Sequence, residues 1–394
     1  MTGTDYAYLI VGGGMTADAA AHAIREADPK GSIGLIGAEP HPPYNRPPLS
    51  KALWKGEPEA SIWRTTSETG ATQHLGRRVT ALDPAGHRAT DDRGTVYRFR
   101  KLLLATGGQP RRVSLKSDQI IYFRTLDDYR RLRALAGQNV RFAVMGGGFI
   151  GSEVAAALRL QGRDVTMLVP EAGLGARVFP ADLARFLVDY YREKGVAMRT
   201  GEGMAGLDRR VGSCVVHTTT GGELTAEVVV AGLGIVPYVE LAEQGGLRVE
   251  NGILVSAYCQ TSHPDVYAAG DVANFENPAL GTRLRVEHED NANTMGRTAG
   301  LNMAGRATPY HHLPFFYSDL FDLGYEAVGD VDARLETVAD WKEPFREGVV
   351  YYVKEGRVRG VLLWNTWGQV EHARALIAQP GPLKPQDLKN RLPA

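Results

Sequence analysis

The sequence predicts an α/β fold with two similar domains, each built on a parallel sheet, followed by a third domain of mixed α+β structure. In the first domain an apolar strand at 8–11 leads through Gly12-Gly13-Gly14 into an Ala-rich helix that reaches about residue 27. A second strand follows at 32–36, and the same order recurs at 142–169, about 130 residues later. Strands that alternate with helices through short turns form parallel sheets covered by helices. A period of this length indicates two related domains rather than a solenoid.

The remaining segments follow other patterns. Between 201 and 234, short runs at 214–219 and 226–231 predict antiparallel strands joined by Gly-rich turns. A helical segment is predicted at 287–305. The tail is predicted to contain strands at 348–354 and 358–364 and an amphipathic helix at 370–378. We therefore predict a discontinuous first domain at 1–121 and 236–314, a second domain at 122–235 and a third domain at 315–394.

Composition excludes several classes of function. The 394 residues are 43% hydrophobic and 23% charged, as is usual for a globular protein, and the formal net charge is zero. Zero net charge argues against a nucleic-acid partner held by phosphate neutralisation. The sequence has no apolar run of about eighteen residues, so we expect no membrane span. The first strand leaves no room for a signal peptide, and Cys214 and Cys259 are isolated, which favours a cytoplasmic protein with reduced, buried thiols.

The first Gly-rich turn carries a phosphate-binding pattern. Gly12, Gly14 and Ala17 form G-x-G-x-x-A between a strand and a helix. The first glycine permits a tight turn, the second lets a pyrophosphate approach the backbone, and the small third residue lets the helix pack on the strand. The free N–H groups of the helix N-terminus then face the phosphates. Glu39, at the end of the next strand, can accept hydrogen bonds from an adenosine ribose, so these residues predict a Rossmann-like dinucleotide site.

The second Gly-rich turn repeats this pattern. Gly146, Gly148 and Gly151 lie between a strand and a helix, and Glu171 follows the next strand. A carboxylate at that place pairs with a free 2′-hydroxyl and repels a 2′-phosphate, which favours NAD(H) over NADP(H). Arg177 could accept a 2′-phosphate, although a solvated surface charge is the preferred interpretation of this residue. Two domains of the Rossmann type are therefore predicted.

Two further segments resemble motifs of flavoprotein reductases with two dinucleotide-binding domains. Ala269-Gly270-Asp271 resembles the second FAD-binding signature, in which the aspartate holds the ribityl chain. Ala105-Thr106-Gly107-Gly108 resembles the motif that links the FAD domain to the NAD domain. The resemblance assigns FAD to the first Gly-rich turn and NADH to the second.

The cysteine content separates this chain from part of that group. Disulfide reductases of this architecture need two cysteines close in sequence beside the flavin, and this chain has no such pair. Electrons therefore cannot leave through a dithiol. This excludes glutathione, lipoamide and thioredoxin reductase activities.

Longer strings resemble the apoptosis-inducing factor family, within the ferredoxin-reductase-like flavoproteins. They are PYNRPPLSKALW at 43–54, GGGFIGSE at 146–153, VEHEDNANTMGRTAG at 286–300, FYSDLFDLGYEAVG at 316–329 and GVLLWN at 360–365. Oxygenase-coupled ferredoxin reductases are expected to carry tryptophan and glutamine in the SD segment, which this chain does not. The chain also departs from the family, because Glu289 replaces a histidine, a long insertion before the last hairpin is reduced to a short segment, and Tyr317 stands where the family has tryptophan. We therefore transfer no role in cell death or DNA binding.

The resemblance implies roles for individual residues. Lys51 is expected to pair with Glu153 beside the flavin ring, and Phe149 to lie against the isoalloxazine and yield to the nicotinamide; with His288, these are the expected catalytic residues. Phe149 could instead be a core aromatic residue, and His288 a structural histidine. The implied FAD contacts are Gly12, Gly14, Ala17, Glu39, Arg46, Lys51, Val79, Ala105, Thr106, Gly107, Asp271, Glu287, His288 and Tyr317. The implied NAD contacts are Gly146, Gly148, Phe149, Ile150, Gly151, Glu171, Gly234 and Glu326.

The predicted activity is hydride transfer from NADH to flavin N5. The resemblance implies a long-lived reduced flavin–NAD charge-transfer complex, slow electron transfer to oxygen, quinone or another acceptor, and a homodimer formed on reduction. One alternative is an NADH-dependent ferredoxin or rubredoxin reductase that feeds an iron–sulfur protein. A non-enzymatic alternative is a redox sensor whose output is NADH-induced dimerisation. The sequence leaves the physiological electron acceptor open.

Other candidate sites receive weaker support. His311 and His312 are adjacent but have no cysteine or acidic residue at zinc-ligand spacing, so no metal is expected. The arginine pairs 77–78, 111–112 and 209–210 could dock an acidic iron–sulfur protein, although solvated loop charge is the preferred interpretation.

Overall fold

The computed structural model describes residues 4–114 and 119–392. Its helices are α1 Met15–Ala27, α2 Leu126–Ala136, α3 Phe149–Leu160, α4 Ala181–Glu193, α5 Glu240–Gln244, α6 Glu289–Met303 and α7 Val370–Ala378. The strands in the first half are β1 Thr4–Val11, β2 Ile33–Gly37, β3 Thr72–Leu75, β4 Val79–Asp83, β5 Arg88–Asp91, β6 Val96–Leu104, β7 Gly108–Pro110, β8 Ile120–Tyr122, β9 Arg141–Met145, β10 Asp164–Val169 and β11 Ala197–Thr200. The later strands are β12 Met204–Arg210, β13 Ser213–Thr218, β14 Glu223–Ala226, β15 Val228–Ala231, β16 Ile235–Pro237, β17 Ile253–Leu254, β18 Val266–Ala268, β19 Ala273–Asn277, β20 Thr282–Leu284, β21 Phe315–Leu320, β22 Leu323–Gly329, β23 Glu336–Glu343, β24 Glu347–Lys354 and β25 Arg357–Trp364.

The chain divides into two compact units, which we call unit 1 and unit 2. Unit 1 contains the chain up to Arg46, Pro58–Gln109 and Val236–Pro314, whereas unit 2 contains Pro47–Glu57, Pro110–Ile235 and the chain from Phe315 onward. The region from Phe315 thus shares a unit with the second Gly-rich turn. The predicted borders of three domains stay a prediction.

Unit 1 is built on a sheet with the strand order β3-β2-β1-β6-β5-β4, and β18 also pairs with β6. Strands β3, β2, β1 and β6 are parallel, and β5 and β4 continue the sheet in antiparallel pairing. Helix α1 packs closely against α6, because a Cβ atom at Gly296 or Gly300 would lie 2.5 Å or 2.4 Å from the backbone oxygen of Thr16 or Ala20. This contact fixes the middle of α6 beside the first turn of α1, directly after the first Gly-rich turn.

Unit 2 contains a second parallel sheet, with the order β11-β10-β9-β15-β8. The predicted strand at 226–231 was wrong as one antiparallel strand. It is broken at Glu227, since β14 pairs antiparallel with β13 while β15 joins the parallel sheet beside β9. The break coincides with the Glu227 carboxylate, which accepts a hydrogen bond from the backbone N–H of Arg141 at 2.7 Å and another from its guanidinium.

The C-terminal part of unit 2 is an antiparallel sheet with the order β21-β22-β25-β24-β23, and α7 packs on β22 and β25. Helix α7 has the predicted bounds. In the first strand pair Ser318 is opposite Tyr325 and Tyr317 is opposite Glu326. Because successive side chains of a strand point to opposite faces, these two pairs lie on different faces of the sheet. The predicted fold class, two Rossmann-like folds with a mixed C-terminal region, is confirmed.

Within residues 4–114 and 119–392, no helix has both the length and the apolar character needed to span a membrane.

Candidate functional site

The first Gly-rich turn has the geometry that a bound pyrophosphate requires. Gly12 has φ +136°, and a Cβ atom there would lie 2.1 Å from the carbonyl oxygen of Ala105 at the end of β6. Gly14 is the N-cap residue of α1, and a Cβ atom there would meet no protein atom within 4 Å. The first glycine therefore allows contact between two strands, and the second leaves the backbone open to a ligand. Ala17 is fully buried where α1 packs on the sheet.

The acidic residue of the first turn belongs to a network of three side chains. One carboxylate oxygen of Glu39 accepts a hydrogen bond from Arg46 at 2.9 Å, and the other accepts one from the Tyr44 hydroxyl at 2.7 Å. Burial lowers the proton affinity of the Arg46 guanidinium, but Tyr44, Glu39 and Asp271 outweigh this effect, so the pKa of Arg46 is raised. Glu39 and Arg46 are thus brought together, and Tyr44, which we did not single out for this role, links them.

A second set of unit 1 contacts holds the loop that carries Arg46. Asp18, buried in the first turn of α1, accepts hydrogen bonds from Arg64 at 2.6 Å and from Thr66 at 2.5 Å. Arg64 also donates to the side chain of Asn45 at 2.7 Å. Sequence reasoning missed Asp18 and Arg64, although an acidic residue within an Ala-rich apolar helix is a signal for a buried ion pair.

The remaining residues expected to contact FAD in unit 1 lie at the ends of strands and helices. Thr106 follows β6 and donates a hydrogen bond to the carbonyl oxygen of Tyr238 at 2.8 Å. Glu287 forms an ion pair of 2.7 Å with Arg285, which also donates to the backbone oxygen of Asp271 at 3.0 Å. The other positions are Ala105 and Gly107 after β6, Val79 at the start of β4, and His288 as the N-cap residue of α6. Thr106, Glu287 and Asp271 are therefore held by contacts within the unit.

The second Gly-rich turn, in unit 2, reproduces the first. A Cβ atom at Gly146 would lie 2.5 Å from the carbonyl oxygen of Gly232, and one at Gly151 would lie 2.1 Å from that of Gly146. Gly148 is the N-cap residue of α3, and its Cβ position is open, as is that of Gly234. Both N-cap glycines therefore leave a cradle that a diphosphate fits.

The acidic residue of the second turn has a different partner. Glu171 pairs with Arg177 at 3.1 Å, and the Arg177 side chain is 88% exposed. Ile150, in the first turn of α3, is also exposed. Arg177, which could accept a 2′-phosphate, is thus paired with Glu171, whose charge would repel a 2′-phosphate.

Lys51 and Glu153 form the ion pair that the resemblance implies, at 2.7 Å. Glu153 is buried in the first turns of α3, and Lys51 lies in the segment Pro47–Glu57 of the same unit. The carboxylate also accepts hydrogen bonds from the Ser50 hydroxyl at 2.5 Å and from the Ser318 hydroxyl at 2.6 Å. The Lys51 ammonium lies 5.3 Å from the centre of the Tyr317 ring, within the range of a cation–π contact. The sequence did not predict the contacts of Ser50 and Ser318 with Glu153.

Phe149 and Glu326 are not brought together by the C-terminal sheet. The Phe149 ring lies 5.1 Å from that of Phe316 and 6.5 Å from that of Tyr325. Since side chains alternate along β22, Glu326 points to the opposite face, which it shares with Tyr317. One buried carboxyl oxygen of Glu326 has no hydrogen-bond partner in the part of the chain that the structure describes, and burial raises the pKa of this carboxyl group. Phe149 and Glu326 therefore lie on opposite faces of the C-terminal sheet and could not contact the same part of a bound nicotinamide from one face.

The donors and cradles present fit the two dinucleotides. Each helix N-terminus that follows a Gly-rich turn has an open N-cap glycine and an acidic residue after the next strand. Among the described residues, no three His, Cys, Asp or Glu side chains are grouped so that they could bind a metal ion. His312 instead lies 2.6 Å from Asp290 at the start of α6.

Two family profiles match the chain. The sequence profile described as "Pyridine nucleotide-disulphide oxidoreductase" matches residues 6–296. A second profile, "Apoptosis-inducing factor, mitochondrion-associated, C-term", matches residues 299–344 and 339–379. The two profiles together cover most of the chain.

Individual relatives span nearly the same length. The ferredoxin–NAD(+) reductase component of the anthranilate 1,2-dioxygenase system from Burkholderia cepacia is 35% identical over 97% of this chain and 96% of its own. Mitochondrial apoptosis-inducing factor 1 from Dictyostelium discoideum is 31% identical over 94% of this chain and 78% of its own. The solved covalent complex of putidaredoxin reductase with putidaredoxin has a TM-score of 0.90 at 29% identity, covering 98% of this chain and 95% of that one.

Proposed function

The chain belongs to the pyridine nucleotide-disulphide oxidoreductase family, and from this premise we propose that it passes electrons from NADH through FAD to a ferredoxin-type iron–sulfur protein. It is an NADH-dependent oxidoreductase with FAD as cofactor. The proposal concerns the acceptor and the roles of the site residues.

The observation that carries this proposal is the state of the two cysteines. Cys214 and Cys259 are each fully buried in a hydrophobic core. Burial raises the pKa of both thiols, which keeps them in the unreactive thiol form. Because the chain has no other cysteine, electrons on the flavin have no dithiol to enter. They must pass directly from the flavin to an external acceptor.

The residues of the chain bind and orient the two dinucleotides in this proposal. When bound, FAD supplies a ring that accepts hydride from the nicotinamide of NADH. The N-terminus of α1 binds the FAD pyrophosphate, Glu39 binds the adenosine ribose, and Arg46 holds Glu39 in place. The N-terminus of α3 and Glu171 do the same for NADH. Lys51, fixed by Glu153, places a positive charge where the reduced ring gains electron density.

A ferredoxin-type acceptor is supported by the relatives and by surface charge. The Burkholderia relative, whose name specifies a ferredoxin–NAD(+) reductase component, aligns over almost its whole length. Exposed arginines that an acidic partner could contact include Arg78, Arg111, Arg112 and Arg210. Such charges raise the rate of encounter with an oppositely charged protein and are sensitive to salt.

A second candidate is a slow oxidoreductase of the apoptosis-inducing factor type. It is supported by the C-terminal profile match, which covers residues 299–344 and 339–379. In this case the reduced protein would keep NAD bound, react slowly with oxygen or quinones and form a homodimer.

One experiment separates the two candidates. The purified protein is titrated with NADH without oxygen, exposed to air, and then assayed for cytochrome c reduction with and without an added acidic ferredoxin. Our proposal predicts rapid return of the oxidised flavin spectrum and cytochrome reduction that depends on ferredoxin and falls at high salt. A long-wavelength absorption band that persists in air, with no effect of ferredoxin, would favour the second candidate and contradict the first.

A further inference from the structure

The Glu153 carboxylate has more hydrogen-bond donors than the expected ion pair requires. One oxygen accepts from Lys51 at 2.7 Å and from Ser318 at 2.6 Å, and the other accepts from Ser50 at 2.5 Å. Glu153, Ser50 and Ser318 are 3%, 5% and 0% exposed. Two buried hydroxyl groups are thus directed at one buried carboxylate.

The two hydroxyl groups come from separate segments of unit 2. Ser50 ends the short 3₁₀ turn Pro47–Ser50, directly before Lys51. Ser318 lies on β21, opposite Tyr325 of β22. Because the two donors reach different oxygens of the carboxylate, they fix its orientation as well as its position.

The physical effect of these donors differs from that of a second cation. A buried carboxylate is costly unless its oxygens are hydrogen-bonded. Hydroxyl groups supply those hydrogen bonds without adding charge, and hydrogen bonds to the ionised form favour that form. With two neutral donors in place, the oxygens of Glu153 are hydrogen-bonded without depending on Lys51 alone. The Lys51 ammonium is then free to direct its remaining N–H groups elsewhere.

We propose that Ser50 and Ser318 are positioning residues, which keep Glu153 ionised and oriented so that Lys51 presents a fixed, compensated charge to the bound flavin. The proposal rests on the proposed function, because it assumes that Lys51 faces FAD. Without the two hydroxyl groups, Glu153 would take up a proton more easily, and Lys51 would lose its counter-ion as the pH falls. An uncompensated ammonium beside the ring favours reduced flavin.

The first test measures the midpoint potential of bound FAD against pH, between about pH 6 and about pH 9. The double variant Ser50→Ala/Ser318→Ala is compared with the native protein. We expect a more positive potential in the variant at the acidic end and convergence of the two curves at the alkaline end. Superposable curves from two proteins that both hold FAD would overturn the proposal.

Two controls separate positioning from a loss of packing. Ser61→Ala removes an exposed hydroxyl group that donates to the backbone oxygen of Pro58, and should leave the curve unchanged. Ser318→Thr retains a hydroxyl group and should restore the native curve when combined with native Ser50. If the double variant does not fold, Ser50→Ala alone is expected to give a smaller shift in the same direction, and no shift would overturn the proposal.

The second test is an infrared titration, which does not require flavin. In the double variant we expect a carboxylic acid C=O band at a pH where the native protein shows none, and Glu153→Gln in the same background should remove it. Identical band intensities in native protein and double variant would overturn the proposal. If the native protein failed to bind FAD or to be reduced by NADH, the proposed function would fail, whereas the infrared result would still decide how Glu153 is held.

Discussion

The two Gly-rich turns share one backbone design and differ in the partners of their acidic residues. In both turns the first glycine touches the end of a neighbouring strand, at Ala105 or Gly232, and the N-cap glycine is open. Glu39 is held by Tyr44 and by Arg46, which is only 26% exposed. Glu171 is held by Arg177, which is largely exposed.

This difference matches the different tasks proposed for the two turns. A partly buried ion pair with an additional hydroxyl donor is costly to disrupt, whereas an exposed pair contributes about 0 to 1 kcal/mol. Under the proposed function, the first turn holds a cofactor that remains bound. The second turn suits a substrate that must enter and leave in each cycle. Four predictions test the shared design first and then the difference.

The largest effect is expected where the two turns are alike, at the glycines in contact with backbone. Gly12→Ala and Gly146→Ala place a Cβ atom 2.1 Å and 2.5 Å, respectively, from a carbonyl oxygen, and both glycines have a positive φ. We expect each to lower the free energy of unfolding by about 3 kcal/mol or more, because the neighbouring backbone must move. Thermal unfolding monitored by circular dichroism would show it.

The matched controls are Gly14→Ala and Gly148→Ala, whose Cβ atoms meet no protein atom within 4 Å. These variants should fold normally but bind FAD or NADH, respectively, more weakly. Equal stability losses at all four glycines would contradict this account of the turns.

The second prediction breaks the network of the first turn. Arg46→Ala removes a cation from Glu39 and Tyr44, and we expect FAD affinity to fall about tenfold to a hundredfold, since breaking a partly buried ion pair costs on the order of 1 to 3 kcal/mol. FAD fluorescence during titration of the apoprotein measures this directly. Arg177→Ala is the control from the second turn and should leave FAD affinity unchanged. A similar loss in both variants would remove the distinction between the turns.

Helices and strands were predictable from the sequence where their bounds depend on residues that are close in sequence. Helix α1 ends at Ala27 and helix α7 spans Val370–Ala378, where the sequence pattern places them. The run at 226–231 could not be resolved in this way, because two strands of opposite character adjoin at Glu227, and only tertiary pairing distinguishes them.

The site residues follow the same rule. The glycines and the acidic residues after each strand were identifiable because their spacing reflects backbone geometry. The links of Asp18 with Arg64 and of Ser318 with Glu153 were not, since each joins segments far apart in sequence. The contact of Tyr44 with Glu39 spans only five residues, but it lies in an irregular loop whose conformation has no repeating pattern. The placement of Glu326 and Phe149 on different faces likewise depends on the register of β21 and β22.

The third prediction concerns the acidic residue of the second turn. Glu171→Ala removes the charge that repels a 2′-phosphate and releases Arg177 from its ion pair. We expect the preference for NADH over NADPH, measured as the ratio of kcat/KM values, to decrease about tenfold, or about 1.4 kcal/mol. Adding Arg177→Ala should reverse part of the gain with NADPH. An unchanged ratio in the single variant would refute the assignment of Glu171 to the ribose.

The smallest effect is expected in the pH dependence of stability, where the two parallel sheets differ in composition. His74 lies on β3 of the first sheet, with its ring 2.7 Å from the Tyr6 hydroxyl, whereas the strands of the second sheet contain no histidine in their described residues. Burial, and secondarily the charge of Arg77, lower the pKa of folded His74. As the pH falls below about 6.5, the unfolded chain binds the proton first, so the free energy of unfolding must decrease.

Urea unfolding at about pH 7.5 and about pH 5.5 should therefore give a smaller decrease for His74→Gln than for the native protein. His372→Gln, at an exposed position of α7, is the matched control and should retain the native decrease. The signal of the first sheet can be followed separately by hydrogen exchange of β1 and β6, which should lose protection on acidification before β9 and β10 do. Equal loss of protection in both sheets would mean that acid weakens a feature common to the two regions, and His74 would then not be its cause.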